Sequence, residues 1–206
     1  MKQKNIKIIT IAIIALIILI GIVIVGIYGF NKELEFEKSQ SIDIYIEQTV
    51  DKNKIKEIAN EVLGKENIVK TVEIYEDLVT IRAKEITEEQ KNDIVNKVKE
   101  NYEFSQTAEE TTIETVAATK IIDMYKKYII PFIISGVLVL IYMIIRYHKK
   151  GIIKVLLRTI LTPVLGELFI LSIIAITRIP VGRFTPVIVI VTYIICILGI
   201  IKENEK

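Results

Sequence analysis

Residues 8–28 read IITIAIIALIILIGIVIVGIY, a run of 21 positions without a charge. A bilayer hydrocarbon core of about 30 Å is crossed by roughly 20 apolar residues in a helix. Ile8–Tyr28 therefore reads as a membrane-spanning helix. Three further apolar segments follow at 128–145, 155–176 and 184–201. The last is the shortest, at about 27 Å if helical. A charged stretch fills the gap between the first and second segments. This layout predicts an α-helical membrane protein with four transmembrane helices and one sizeable domain on one side of the bilayer. The divisions fall at 1–30, an anchoring helix; 31–118, the domain; and 119–206, a three-helix membrane region.

Composition agrees with that division. Hydrophobic residues make up 51% of the chain while charged residues still reach 25%, so the charges must be segregated. Most lie between Asn31 and Lys127. A net charge of +2, with no basic stripe carrying interleaved aromatics, gives no footprint for nucleic acid. The single cysteine, Cys196, lies inside the fourth apolar segment, so the domain has no disulfide to hold it. Such a cysteine reads as a small apolar filler.

Lysine and arginine near the membrane ends set orientation. Lys2, Lys4 and Lys7 precede the first helix. Arg146, Lys149, Lys150 and Lys154 separate the second and third, and Lys202 and Lys206 follow the fourth. Only Arg178 and Arg183 lie in the turn between the third and fourth. The balance places both termini in the cytoplasm and residues 31–127 outside it, in a multi-pass protein of the cell membrane. The first apolar run is longer than a signal-peptide core of about 7–15 residues, and Ile24 and Ile27 occupy the −3 positions of its candidate cleavage sites, so it is expected to stay as an anchor.

Within 31–118 the pattern alternates between strand and helix periods. Ile42, Ile44 and Ile46 alternate with Asp43, Tyr45 and Glu47, the period of a half-buried strand. Asp51 caps a helix to Leu63 with Ile55, Ile58, Ala59, Val62 and Leu63 as its inner stripe, and Gly64 stops it. Residues 67–75 and 78–83 form a hairpin about Glu76-Asp77, with Ile68 set against Val72 and Ile74. Thr87-Glu-Glu-Gln90 is a capping box opening a helix that carries Ile94, Val95, Val98 and Tyr102. Residues 111–117 form the last strand. The order βαββαβ is that of the ferredoxin-like α+β fold, a four-stranded antiparallel sheet with two helices on one face. Residues from Thr119 read as helix running into the second apolar segment, with Tyr125, Lys126, Lys127 and Tyr128 at the water–lipid boundary. That helix either anchors the domain or transmits its movement.

Two stretches resemble a known family. IETVAATKIIDMYKKYIIPFIISGVLVLIYMIIRYHKKG, from Ile113, is similar to the last strand and second helix of SecF, with Thr119 matching the threonine of the family's Val-Gly-Pro-Thr. ITEEQKNDIVNKVKENYEF, from Ile86, is similar to the family's second domain helix. SecF is the membrane subunit that pairs with SecD in the accessory complex of the bacterial protein-export channel, both of the RND superfamily. The resemblance covers most of the chain and is that of a shortened, diverged relative. The family's GIDFxGG-like stretch is here Leu34-Glu35-Phe36-Glu37-Lys38-Ser39, without the paired glycines. Its His-Asp-like pair falls near Thr162-Pro163 and is missing. Its cytoplasmic Asp-Arg-x-Arg-Glu-Asn run leaves a trace in Lys202-Glu203-Asn204, and its two further helices have no counterpart among the four here. The resemblance implies a role in protein export, with a SecD-type subunit and the export channel as partners and secreted polypeptides as clients. The other class that fits is an extracytoplasmic binding, sensing or regulatory membrane protein with no transport role.

The membrane segments hold few polar candidates. Arg158 sits near the start of the third helix, where it can snorkel to the interface. Glu167 lies about 13 Å further along. A carboxylate at that depth costs about 2.5–3.5 kcal/mol on insertion scales, which calls for a partner or a proton. Arg158 is too far along the helix to serve. The two readings of Glu167 are contact with a partner subunit and a proton relay. Thr159 and Thr162 are candidates for its face, with Pro163 freeing a carbonyl one turn earlier. Pro131 is read as an early-turn or mildly kinking proline, and Ser135-Gly136 as a place for close helix packing. No Gly-rich phosphate loop or His–Cys cluster points to an enzyme or cofactor. His148 reads as an interfacial residue.

Overall fold

Ile42 and Ile44 alternate with polar neighbours, and in the computed structural model, which describes residues 2–71 and 77–205, that alternation is strand β1 (Ser39–Tyr45). The chain runs α1 (Lys2–Tyr28), β1, α2 (Lys52–Leu63), β2 (Asn67–Thr71), β3 (Leu78–Ala83), α3 (Glu88–Lys99), β4 (Ile113–Val116), α4 (Ile121–Tyr147), a 3-10 turn (His148–Lys150), α5 (Ile152–Thr177) and α6 (Thr185–Glu205). It divides into two units: Glu33–Lys120, and the rest. The division lies two residues later at each end than the sequence reading placed it.

In the Glu33–Lys120 unit the sheet order is β2-β3-β1-β4, and every neighbouring pair is antiparallel. Ile42 pairs with Ile81 on one side and Ile113 on the other, while Ile44 pairs with Val79. Because strand side chains alternate, this register sends Ile42, Ile44, Val79 and Ile81 to one face. All four are fully buried, with Ile55 of α2 and Ile94, Val95 and Val98 of α3. Each such side chain contributes on the order of 1.5–3 kcal/mol relative to exposure. In a domain without cysteine, that core carries the fold.

The helix boundaries follow from their caps. Asp51 accepts a hydrogen bond from the Asn53 N–H at 2.9 Å. Gly64 takes φ 78°, open to glycine, and its N–H reaches the Asn60 carbonyl at 3.1 Å. The capping box is complete: Gln90 N–H donates to Thr87 Oγ1 at 3.2 Å, and Thr87 N–H donates to Gln90 Oε1 at 3.0 Å. The reading of α3 was too long, since it ends at Lys99 and Tyr102 lies beyond it. Tyr102 still packs on the core, and its hydroxyl accepts the Asp51 N–H at 3.1 Å. In β2, Val69 and Asn67 are buried and Ile68 is half-buried. Val72, Ile74, Tyr75 and Glu76 of the expected hairpin lie outside the described residues.

β4 covers β1 only over Ser39–Ile42. Beyond it a side chain takes the place of a strand. Gln106 Oε1 accepts the Tyr45 N–H at 2.7 Å, and Gln106 Nε2 donates to the Asp43 carbonyl at 3.2 Å. The amide of one glutamine thus copies the donor and acceptor of a neighbouring backbone. It closes an edge that would otherwise be open to pairing.

In the other unit, α1, α4, α5 and α6 are each long and apolar enough to cross a membrane, which makes this a membrane-embedded chain. α6, expected to be the weakest span, is 21 residues or about 31 Å long, because Lys202, Glu203, Asn204 and Glu205 extend the helix. α5 lies at the centre, packed against α1, α4 and α6. Small residues set two of its crossings. A Cβ on Gly21 of α1 would collide with Ser172 of α5, and one on Gly166 of α5 would lie 2.5 Å from Cys196 Sγ of α6. Small side chains allow close approach where lipid supplies no hydrophobic drive between helices. Gly136 is not such a site, since nothing lies within 4 Å of the Cβ it lacks. Pro131 stands inside α4 rather than in its first turn, because that helix begins as early as Ile121.

The α5–α6 turn is tied to the end of α1. Arg178, with φ 56°, caps α5 and donates from Nη1 to the Gly29 carbonyl at 2.8 Å. Asn31 Nδ2 donates to the Arg178 carbonyl at 2.9 Å, and Val181 N–H to the Asn31 carbonyl at 2.8 Å. Arg178, which opposed the charge bias in the sequence, thus has a structural role.

Candidate functional site in the membrane helices

Glu167 follows Gly166, whose close approach to Cys196 brings α6 against this part of α5. Both Glu167 carboxylate oxygens are buried, and neither has a hydrogen-bond partner among the described residues. One turn further along α5, Leu171 lines a crevice of about 680 Å³ between α4 and α6. Tyr125, Phe132, Val139, Pro186 and Tyr193 line it as well. The crevice exists because α4 and α6 meet mainly at one end, around Met143, Tyr147, Ile197 and Ile200. Phe132 and Tyr193 meet edge to face across it, with centroids 5.1 Å apart. Glu167 therefore sits at the α5–α6 crossing, one turn before Leu171, and does not itself line that apolar opening.

Arg158 does more than reach the interface. Its Nη1 lies 3.1 Å from Glu203 Oε1 at the end of α6. Arg146 of α4 pairs with Glu205 at 3.2 Å, and Lys150 Nζ donates to the Asn204 carbonyl. Three cations from α4, the 3-10 turn and α5 thus hold the last turn of α6. Acids at a helix C-terminus oppose the helix dipole, so external cations offset an intrinsic cost. The buried Asn204 Nδ2 remains without a partner among the described residues. Nothing in the sequence signals the Arg158–Glu203 pair. Its members are far apart in the chain, and only the packing of α5 on α6 joins them.

The expected grouping of Thr159, Thr162 and Glu167 does not form. Thr159 is buried and donates to the Val155 carbonyl at 2.8 Å. Thr162 is exposed and lines a different surface, with Lys154, Arg158, Leu161 and Leu165. The reason is helical geometry. Thr162 and Glu167 are five positions apart, about 140° around the axis.

Thr119 lies in the Glu33–Lys120 unit, just before α4. Its N–H donates to the Phe36 carbonyl at 3.0 Å. The stretch 34–39 is held to the same sheet. Glu35 pairs with Lys70 at 2.7 Å, and Arg82 Nη2 donates to the Glu37 carbonyl at 3.1 Å. Ser39 pairs with Val116 in the β1–β4 ladder. The fold thus brings 34–39 and 116–119 side by side. On α2, burial and the Lys52 charge hold the Lys56 ammonium below its usual pKa, where it donates to the Asn67 carbonyl and Oδ1.

No protein-family model matches this chain, and no curated protein matches it.

Proposed function

We propose that this chain is a SecF-like accessory subunit of a membrane protein-export assembly. In this reading the Glu33–Lys120 unit is a ferredoxin-like domain outside the cytoplasm, and the four helices dock a SecD-type partner. The observation that carries it is topological. A βαββαβ unit with sheet order β2-β3-β1-β4 is inserted in the chain between the first and second of four apolar helices. The adjacency of 34–39 and 116–119 adds support, because these are the stretches that stand where the family's GIDFxGG and Gly-Pro-Thr motifs would be. A fold this common hosts many functions, so the weight rests on the combination of domain, insertion point and those two stretches.

Glu167 fits a contact role in such an assembly. An intramembrane carboxylate without a hydrogen-bond partner among the described residues is costly, and a polar group from a neighbouring chain at the α5–α6 crossing would offset that cost. The cations at 146–158 sit on the cytoplasmic side in this orientation, as the positive-inside bias requires.

The test is co-purification. A C-terminally tagged chain is cross-linked in native membranes, solubilised gently and its partners identified by mass spectrometry. Recovery of a SecD-type subunit or the export channel supports the proposal. Recovery of the chain alone, or with signalling proteins, moves the function to an extracytoplasmic sensing or regulatory module.

A further inference from the structure

The start of α5 presents a surface that the reading above leaves unused. A broad groove of about 1120 Å³ runs from the 3-10 turn along one face of α5. Its polar lining includes His148, Lys154 and Arg158. Its apolar lining includes Leu157, Leu161 and Leu165. These leucines are four positions apart and form one straight stripe, each about half exposed. The stripe is about 12 Å long, close to the hydrocarbon depth of a single leaflet, about 15 Å.

The charges above the stripe are not balanced within the unit. Of the acids at this end of the helices, Glu203 is taken by Arg158 and Glu205 by Arg146. Lys154 is exposed and has no ion-pair or hydrogen-bond partner among the described residues. The Arg158 guanidinium keeps N–H groups beyond the one turned to Glu203. His148 Nδ1 lies 2.9 Å from the Ile145 carbonyl, so in the tautomer that donates there its Nε2 edge is left for another partner.

We propose that this groove holds an anionic phospholipid of the leaflet at which the α4–α5 connection emerges. Lys154 and Arg158 take the phosphate, and Leu157, Leu161 and Leu165 take one acyl chain. Two features select that occupant. Lys154 stands one turn before an apolar stripe of one-leaflet depth and Arg158 beside its first leucine, and the unpaired positive charge of Lys154 calls for an anion that brings its own apolar tail. A partner helix would cover the leucines but leave Lys154 uncompensated. The proposal does not depend on the export reading, since it needs only that these helices lie in a membrane.

The test uses the full chain reconstituted in vesicles of phosphatidylcholine with phosphatidylglycerol, then released and weighed with its retained lipids by native mass spectrometry. The wild-type chain should retain phosphatidylglycerol over phosphatidylcholine. Lys154→Gln should lower that preference about fivefold, the effect of one cation at an anionic surface. Lys154→Gln with Arg158→Gln should bring it close to parity. Lys202→Gln, at the same end of the unit but outside the groove, should leave it unchanged. If the double variant fails to fold, Lys154→Gln alone decides, because it keeps the Arg158–Glu203 pair. Equal retention of the two lipids by the wild type overturns the proposal, as does an unaltered preference in Lys154→Gln. An equal loss in Lys202→Gln overturns it in favour of diffuse surface charge. Displacement of the lipid by inorganic phosphate alone makes this a free-anion site. A second copy of the chain in place of lipid makes it a protein interface.

Discussion

Replacing Glu167 with leucine should stabilise the isolated chain. Both carboxylate oxygens are buried within the helices, and neither accepts nor donates a hydrogen bond among the described residues. In its ionised form such a group costs about 2.5–3.5 kcal/mol at mid-membrane depth. As a neutral acid it still leaves a polar group unpaired, at about 1–3 kcal/mol. The smaller figure sets the minimum, so Glu167→Leu should gain about 1–3 kcal/mol, roughly 5- to 150-fold in the folding constant. Glu167→Gln keeps an unpaired polar group and should recover only a fraction of that gain. The assay is unfolding of the purified chain by rising dodecyl sulfate in mixed micelles, followed by circular dichroism and protease sensitivity. An earlier midpoint for Glu167→Leu than for the wild type would refute the reasoning, because it would mean that the carboxylate makes a favourable contact inside the chain. In native membranes partner recovery should move the opposite way to stability. If Glu167 meets a partner, the leucine variant should be the more stable chain and yet recover less of that partner after cross-linking.

Two further outcomes concern the Glu33–Lys120 unit. Gln106→Ala removes both bonds to the uncovered part of β1 and should destabilise the unit by about 1–3 kcal/mol while raising its self-association, measured by denaturant unfolding and by sedimentation. Glu110 accepts from the Thr107 N–H at 2.7 Å and the Thr107 hydroxyl at 3.0 Å, and those bonds hold its carboxyl below its usual pKa of 4.5. A group with a lowered folded pKa stabilises above its unfolded pKa and loses that contribution as pH falls through the folded value. Stability of the 105–111 segment should therefore decline as pH drops below about 4.5, and Glu110→Gln should flatten that part of the profile, read by hydrogen exchange.

Much of the fold was legible because its signals are local. Apolar runs near 20 residues long identify helices that can cross a bilayer, and each of the four segments became one. The Asp51 cap, the Gly64 stop and the Thr87–Gln90 box depend on neighbours within four positions, and all three formed. The ends of elements were less legible. Tyr102 continues the apolar period of α3 but lies past its end, since a side chain can reach the core from the turn after a helix. Of the two readings of Pro131, the early-turn one fails, since Pro131 lies well inside α4 (Ile121–Tyr147).

The sequence by itself determined the four apolar helices, the charged unit between the first two and the order of strands and helices within it. Each depends on a period of two or 3.6 residues, or on a run length, which the chain carries without reference to anything distant. Only the tertiary structure decided the contacts that join remote positions. It paired Arg158 with Glu203, laid Gln106 along the open edge of β1 and set Arg178 against the end of α1. These contacts depend on which helix faces and loop ends meet when the chain packs. Packing, rather than any local pattern, also buries the Glu167 carboxylate beside the Gly166–Cys196 crossing, where it has no hydrogen-bond partner among the described residues.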